Sequence, residues 1–266
     1  MLLNEYTHVV LGTENMAKII VVSNQKGGVG KTTTAVNLAS CLASEEKKKV
    51  LMIDLDPQGN ASSGLGVVPT KYNIYHVLTN DIPIKKAIVK SSIERLYIVP
   101  SDQNLAGAEL ELASVVGREV ILKEALESVM KDYDFIVIDT PPTLGILTVN
   151  SLTAAHSVII PLQCEYYAME GLTQILNTIK LIKKRLNPKL KLEGILLTMF
   201  DQRNKLSHLI SKEIRSHFGE VYGFHIPRNV KLSEASSHGK PIVSYAKKSA
   251  GALAYMKFAK EVSYKN

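Results

Sequence analysis

Lys18-Ile19-Ile20-Val21-Val22-Ser23 leads through Asn24 into Gln25-Lys26-Gly27-Gly28-Val29-Gly30-Lys31-Thr32-Thr33, and the fold turns on this passage. Ile19–Val22 is apolar and β-branched without polar alternation, the mark of a strand buried on both faces. Gly27, Gly28 and Gly30 let the backbone curl so that successive N–H groups face phosphate oxygens. The helix expected over Thr33–Ala43 adds the positive end of its dipole. Lys31 is placed to reach the β- and γ-phosphates, and the Thr32 hydroxyl to bind Mg²⁺. With Val29 and Thr33 completing the cradle, the passage reads as a nucleotide-phosphate loop, because strand, loop, Gly-Lys-Thr and helix fall in the required order.

Outward from this loop, similar apolar runs recur at Val50–Ile53, Leu96–Val99, Phe135–Ile138, Ser157–Ile160 and Gly194–Thr198. Between them Val120–Met130, Met169–Leu186 and Ser207–Phe218 carry helical periodicity. In Met169–Leu186 the apolar positions Leu172, Leu176, Ile179 and Ile182 share one face and lysines the other, as in a helix packed on a sheet. The alternation predicts an α/β fold with a doubly wound, mostly parallel sheet flanked by helices, its ligands at the carboxyl ends of the strands. No repeat or linker breaks the pattern, so residues 16–266 read as a single domain. Met1–Asn15 lacks the basic start and cleavage pattern of a signal peptide. Met16 is an alternative start, and residues 1–15 read as a tail to which no function is assigned.

The composition agrees. The 266 residues are 45% hydrophobic and 21% charged, ordinary for a globular chain and unlike a disordered or fibrous one. No apolar run approaches the ~18–20 residues of a membrane-spanning helix. Cys41 and Cys164 form no CxxC pair, so a reducing, cytoplasmic setting without a cysteine-bound metal is expected. The net charge of +7 is uneven: residues 1–133 carry 14 Lys+Arg against 15 Asp+Glu, and residues 134–266 carry 18 against 10. That skew suits either an acidic partner for the second half, nucleic acid or anionic lipid, or a basic solvated surface with no special role.

The loop departs from the ordinary P-loop, with Gln25 where a glycine is usual and Lys26 as an added lysine at its mouth. In this K-G-G-x-G-K-T form the sequence resembles the ParA/MinD family of deviant Walker A ATPases over residues 16–264. Asp54-Leu55-Asp56-Pro57-Gln58-Gly59-Asn60 matches the family's switch I, and Asp139-Thr140-Pro141-Pro142, after the fourth of the apolar runs, its Walker B and switch II. The resemblance implies ATP and Mg²⁺ as cofactors, with Asp139 beside Thr32 at the metal. It implies Asp56 as the catalytic aspartate that orients the attacking water, next to Lys31. Asp54 competes chemically for that role, since any ionised acceptor in reach of the water suffices. The resemblance also implies that Lys26 crosses the interface of an ATP-sandwich homodimer and touches the partner's phosphates, as an arginine finger would. Pro227 and Asn229, in Ile226–Ala235, match a segment that holds adenine, with a turn capping the next helix as the alternative. Glu165 matches a position near the dimer interface.

Within the family, Cys41 and Cys164 do not match the iron–sulfur branch. The MinD-like, membrane-associated division-site ATPase is the alternative. However, the closing stretch Gly251–Asn266 places Leu253, Met256, Ala259 and Val262 at helical spacing, as for packing on the core. The blocks Gln163–Leu172, Thr198–Arg203 and Pro227–Gly239 resemble chromosomal ParA proteins. That branch implies a chromosome-partitioning ATPase, nucleoid-associated, that binds double-stranded DNA without sequence preference and answers to a ParB-type centromere-binding protein. Too little chain precedes the loop for a helix-turn-helix, so phosphate contacts alone are expected. Arg203, Arg228, Lys231, Lys247 and Lys248 are the candidates. Lysines stand at 247 and 248 where relatives commonly carry arginines, which keeps the charge and loses the fork.

Overall fold

The computed structural model describes residues 16–265, so the tail assigned to 1–15 lies outside them. The first half runs β1 (Lys18–Val22), α1 (Lys31–Ser44), β2 (Val50–Asp54), α2 (Asn60–Gly64), α3 (Ile74–Thr79), β3 (Val89–Lys90), β4 (Leu96–Val99), α4 (Leu105–Glu111) and α5 (Ile121–Glu127). The second half continues with β5 (Phe135–Asp139), α6 (Ile146–Ala154), β6 (Ser157–Gln163), α7 (Ala168–Arg185), β7 (Lys191–Phe200) and α8 (Lys205–His217). It closes with β8 (Val221–Pro227), α9 (Val230–Ser237), α10 (Ile242–Tyr245) and α11 (Ala250–Tyr264).

The strands form one sheet in the order β3-β4-β2-β5-β1-β6-β7-β8, parallel throughout except for the β3–β4 edge pair. Parallel neighbours need long crossovers, and the helices that supply them cover both faces. Side chains therefore alternate between two cores. Ile19, Val21, Leu51, Ile53, Ile136 and Ile138 meet Leu126 of α5, Leu147 of α6 and Leu172 of α7 on one face. Ile20, Val22, Met52 and Val137 meet Leu38 and Leu42 of α1 and Tyr255 and Phe258 of α11 on the other. A strand buried on both sides has no polar face to display, which is why the sequence shows continuous apolar runs.

The register positions the site. Val22 lies opposite Asp139, and Asp139 opposite Asp54, so the carboxyl ends of β1, β5 and β2 stand in a row. The loop after β1 and both carboxylates thus open on one crevice, where a doubly wound sheet presents its ligand.

Two features depart from the sequence reading. The two-residue β3 has no periodicity to detect, and its presence makes the strand ending at Asp139 the fifth. In the closing helix Leu253 is 56% exposed, while Ala252, Tyr255, Phe258, Ala259 and Val262 are buried. The rings of Tyr255 and Phe258 set the phase of α11. Phe258 packs edge-on against Tyr222 with centroids 5.0 Å apart, and the Tyr255 hydroxyl shares a hydrogen bond of 3.1 Å with Thr34.

Gly66 and Gly239 bring the segment after α2 against the end of α9. Gly66 has φ +65°, and a Cβ there would lie 2.9 Å from the Gly239 carbonyl oxygen. Gly66→Ala combines a left-handed backbone with that backbone clash, so a loss of about 1–3 kcal/mol is expected. Urea unfolding measures it, and an unchanged midpoint would show that the two segments part without cost.

Candidate functional site

The loop after β1 is held from below. Asn24, buried, donates through Nδ2 to the Pro161 carbonyl (2.7 Å) and accepts from the Lys26 amide (3.0 Å). Thr198 of β7 donates to the Val29 carbonyl (2.7 Å). Gly28 and Gly30 take φ +74° and +85°, which only glycine adopts without strain, and no atom lies within 4 Å of where a Cβ would stand at Gly27 or Gly28. Gly30 precedes α1 without any side-chain cap. The first amides of α1 thus remain available to an anion. Lys31 is buried and donates from Nζ to the Lys26 carbonyl (3.0 Å). Burial lowers its pKa, and the charges of Asp139 and Asp56 oppose that shift.

Three aspartates face this loop in different states. Asp54 is fully buried but satisfied. It accepts from the Ser62 amide (2.8 Å) and hydroxyl (2.7 Å) and from the Asp56 amide (3.3 Å). Burial pushes its pKa up to about 6 against those bonds. Its work is to pin α2 and the segment carrying Asp56, and this separates it from Asp56. Asp56, also buried, accepts from the Gln58 amide (3.0 Å) and lines a cavity of about 410 Å³ with Gly27, Lys31, Thr32 and Pro142. Neither carboxylate oxygen of Asp139 has a hydrogen-bond partner. Burial first, and then the Asp54 charge, lifts its pKa well above the carboxylate range, with Thr32 and Lys31 pulling the other way.

An orphaned, buried carboxylate facing a threonine hydroxyl and a phosphate cradle is the donor set that Mg²⁺ requires. Among the described residues no three His, Cys, Asp or Glu side chains gather to hold a metal. The remaining ligands would therefore be phosphate and water, as Mg²⁺ prefers.

A second cavity, about 550 Å³, adjoins the loop at Gly30 and Thr33 and is lined by Pro227 and Asn229. The Asn229 Oδ1 accepts from the Lys231 amide (3.0 Å), capping α9. The capping reading of this residue is thus met in the fold, and its Nδ2 has no hydrogen-bond partner among the described residues. Thr198, Met199 and Tyr255 were not singled out from the sequence, yet all three line this cavity, and Met199 lines the phosphate side as well. Met199 has φ +47°, a strained value for this residue that sets it at the junction. No local pattern marks these positions, because β7 and α11 reach the site only in three dimensions.

Lys26 makes an ion pair of 2.8 Å with Glu165, their side chains 32% and 48% exposed. The basic candidates do not form one cluster. Arg203 and Arg228 share a cleft of about 540 Å³. Lys247 pairs with Glu45 at the far end of α1, one helix length (about 20 Å) from the loop. Arg203 pairs with Asp201 and Lys231 with Glu234, whereas Arg228 and Lys248 have no carboxylate partner among the described residues.

Residues 17–192 match the AAA domain family. Over 251 residues the chain is 53% identical to the sporulation initiation inhibitor protein Soj of Bacillus subtilis, covering 93% of this chain and 99% of that protein. It is 50% identical to the chromosome partitioning protein ParA of Myxococcus xanthus, covering 94% and 89%. Among solved structures, cobyrinic acid a,c-diamide synthase from Mycobacterium smegmatis with bound ADP and magnesium superposes with a TM-score of 0.81. The two are 39% identical, with 93% of this chain and 94% of that one covered.

The orphaned carboxylate has a measurable consequence. The folded pKa of Asp139 lies above its unfolded value, so the ionised form costs stability above the folded pKa, and the cost fades as pH falls toward the unfolded one. Without nucleotide or Mg²⁺, Asp139→Asn is expected to be more stable than the parent at pH 8 by about 1–3 kcal/mol, the gain shrinking toward pH 5. With nucleotide and Mg²⁺ the parent should gain more than the variant. Urea titrations at both pH values test this, and no gain at pH 8 would contradict an unpaired Asp139.

Proposed function

Because the chain belongs to the Soj/ParA family of chromosome-partitioning ATPases and works with ATP and Mg²⁺, we propose that it is a nucleotide-controlled DNA-binding switch. Two chains close around ATP as a symmetric sandwich, the pair binds DNA through phosphate contacts, and hydrolysis stimulated by a ParB-type partner releases it. The reading places the protein in the cytoplasm, on the nucleoid, as one continuous domain from residue 16.

The observation that carries this reading is the division of labour between the two loop lysines. Lys31 lies buried at the centre of its own cradle, while Lys26 extends to the exposed Glu165. An ion pair so exposed contributes roughly 0–1 kcal/mol. Lys26 is thus free to exchange Glu165 for phosphate oxygens of a second protomer, where its charge meets the negative charge that develops during hydrolysis.

Within one chain, the uncapped amides of α1 and Lys31 bind and orient the phosphates. Asp56, held by the Gln58 amide, accepts a hydrogen bond from the attacking water and aligns it. Thr32 and Asp139 would hold Mg²⁺, which neutralises phosphate charge when bound. Pro227 and the Nδ2 of Asn229 line the space for adenine. Arg203, Arg228, Lys231, Lys247 and Lys248, spread over separate patches, would supply the phosphate contacts to DNA. Because three of the five are internally paired, DNA phosphates must compete with carboxylates there. Single chains then bind weakly, and pairing two faces raises affinity by effective concentration.

Asp56→Ala is expected to lower turnover by about 10²- to 10⁴-fold while keeping ATP binding. In ATP and Mg²⁺ it should bind DNA of any sequence, with affinity falling linearly on a log–log salt plot, and bind far less in ADP. Filter binding across a salt series decides the matter. DNA binding in neither state would overturn the switch, and undiminished hydrolysis would remove Asp56 from its role. Lys31→Ala should lose the thermal stabilisation that ATP and Mg²⁺ confer, and retention of that shift would count against the loop assignment.

A further inference from the structure

At the amino-terminal pole of the sheet, opposite the nucleotide site, the starts of β1, β6 and β7 border a cavity of about 930 Å³. Its wall carries Lys18, Lys183, Lys189, Lys191 and Lys265, with Glu193 as its one carboxylate among the described residues. Lys18 pairs with Glu193, and Lys265 with Glu261 (2.8 Å). Lys183, Lys189 and Lys191 have no carboxylate partner among the described residues. The site thus gathers three uncompensated charges from the end of α7, the loop after it and the first residue of β7.

Two neutral donors complete it. Ser157 lines the cavity, is 1% exposed, and its Oγ is buried without any hydrogen-bond partner. A buried hydroxyl left unsatisfied is costly unless something arrives to meet it. His156, also in the wall, accepts the Ile19 amide on Nδ1 (2.9 Å). With Nδ1 an acceptor, Nε2 must carry the ring proton and is a second donor.

The sequence shows the same concentration of charge. Residues 180–191 hold six of the 18 positive charges of the second half, with no acidic residue among them. None belongs to the DNA candidates above.

We propose that this basal cavity is a binding site for a compact polyphosphate anion, one carrying two or more linked phosphate groups, separate from the ATP site. Lysines are point charges suited to phosphate oxygens, and the absence of arginine from the wall argues against a planar carboxylate held bidentately. The cavity falls within the range of small-ligand sites (~300–1,000 Å³). Its charges converge on one concavity instead of following a ridge, which favours a small anion over the extended backbone of a duplex.

The test uses the full chain with ADP saturating and free Mg²⁺ held constant, so that the nucleotide loop is filled, and inorganic tripolyphosphate as the probe in calorimetric titrations. One saturable site is expected. Lys189→Ala with Lys191→Ala should weaken it at least tenfold with basal ATP hydrolysis unchanged, while Lys247→Ala with Lys248→Ala should alter it less than twofold. Ser157→Ala should weaken it severalfold without lowering the unfolding midpoint measured in the absence of probe. Absence of a saturable site, equal loss in both lysine pairs, or full affinity in the Lys189/Lys191 variant would each overturn the proposal. So would an equal loss of affinity for a short DNA duplex in that variant, which would make the pole part of a nucleic-acid surface.

Discussion

Two carboxylates at neighbouring strand ends, Asp54 and Asp139, are forced out of water by the sheet that carries them. Burial raises the cost of each charge, and a neighbouring carboxylate adds to it, Asp54 at Asp139 and Asp56 at Asp54. The surrounding structure compensates them in different ways. Asp54 is satisfied internally, by the amide and hydroxyl of Ser62. This bond fixes α2 and, through the Asp56 amide, the segment that faces the phosphate cradle. Asp139 has no such donor among the described residues. One register therefore yields one carboxylate satisfied by Ser62 and the Asp56 amide and one left orphaned.

The rest of the site is assembled from elements that reach the loop from the other side of β1. Thr198 anchors the Val29 carbonyl, Met199 stands where the two cavities meet, and α9 begins at Asn229 beside them. The residue that caps α9 also lines the larger of these two cavities. Gly66 and Gly239, in backbone contact, tie α9 to α2 and so to Asp54, which links that cavity to the acidic side of the loop through main chain.

Charge in this molecule is distributed less simply than its total suggests. Arg203, Lys231 and Lys247 are held by Asp201, Glu234 and Glu45. Uncompensated lysines gather instead where the strands begin.

Local sequence determined a good deal of this protein. The continuous apolar runs specified strands buried on both faces, because such strands have no polar side to alternate. The loop from Lys26 to Thr33 specified a phosphate site, because its glycines and lysine meet their ligand through backbone next to them in the chain. Placing Asp139 and Asp54 at strand ends was equally legible. Tertiary structure alone decided which aspartate is satisfied and which is orphaned, since Ser62 has no sequence mark as a partner. It alone set the phase of α11, where the rings of Tyr255 and Phe258 outweigh the Leu253 stripe that spacing suggested. It alone brought Thr198, Met199 and Tyr255 to the cavity beside the loop and paired Lys247 with Glu45, 202 positions away. Interactions between neighbours in the chain are written locally, whereas those between residues a hundred or more positions apart exist only once the sheet has chosen its order.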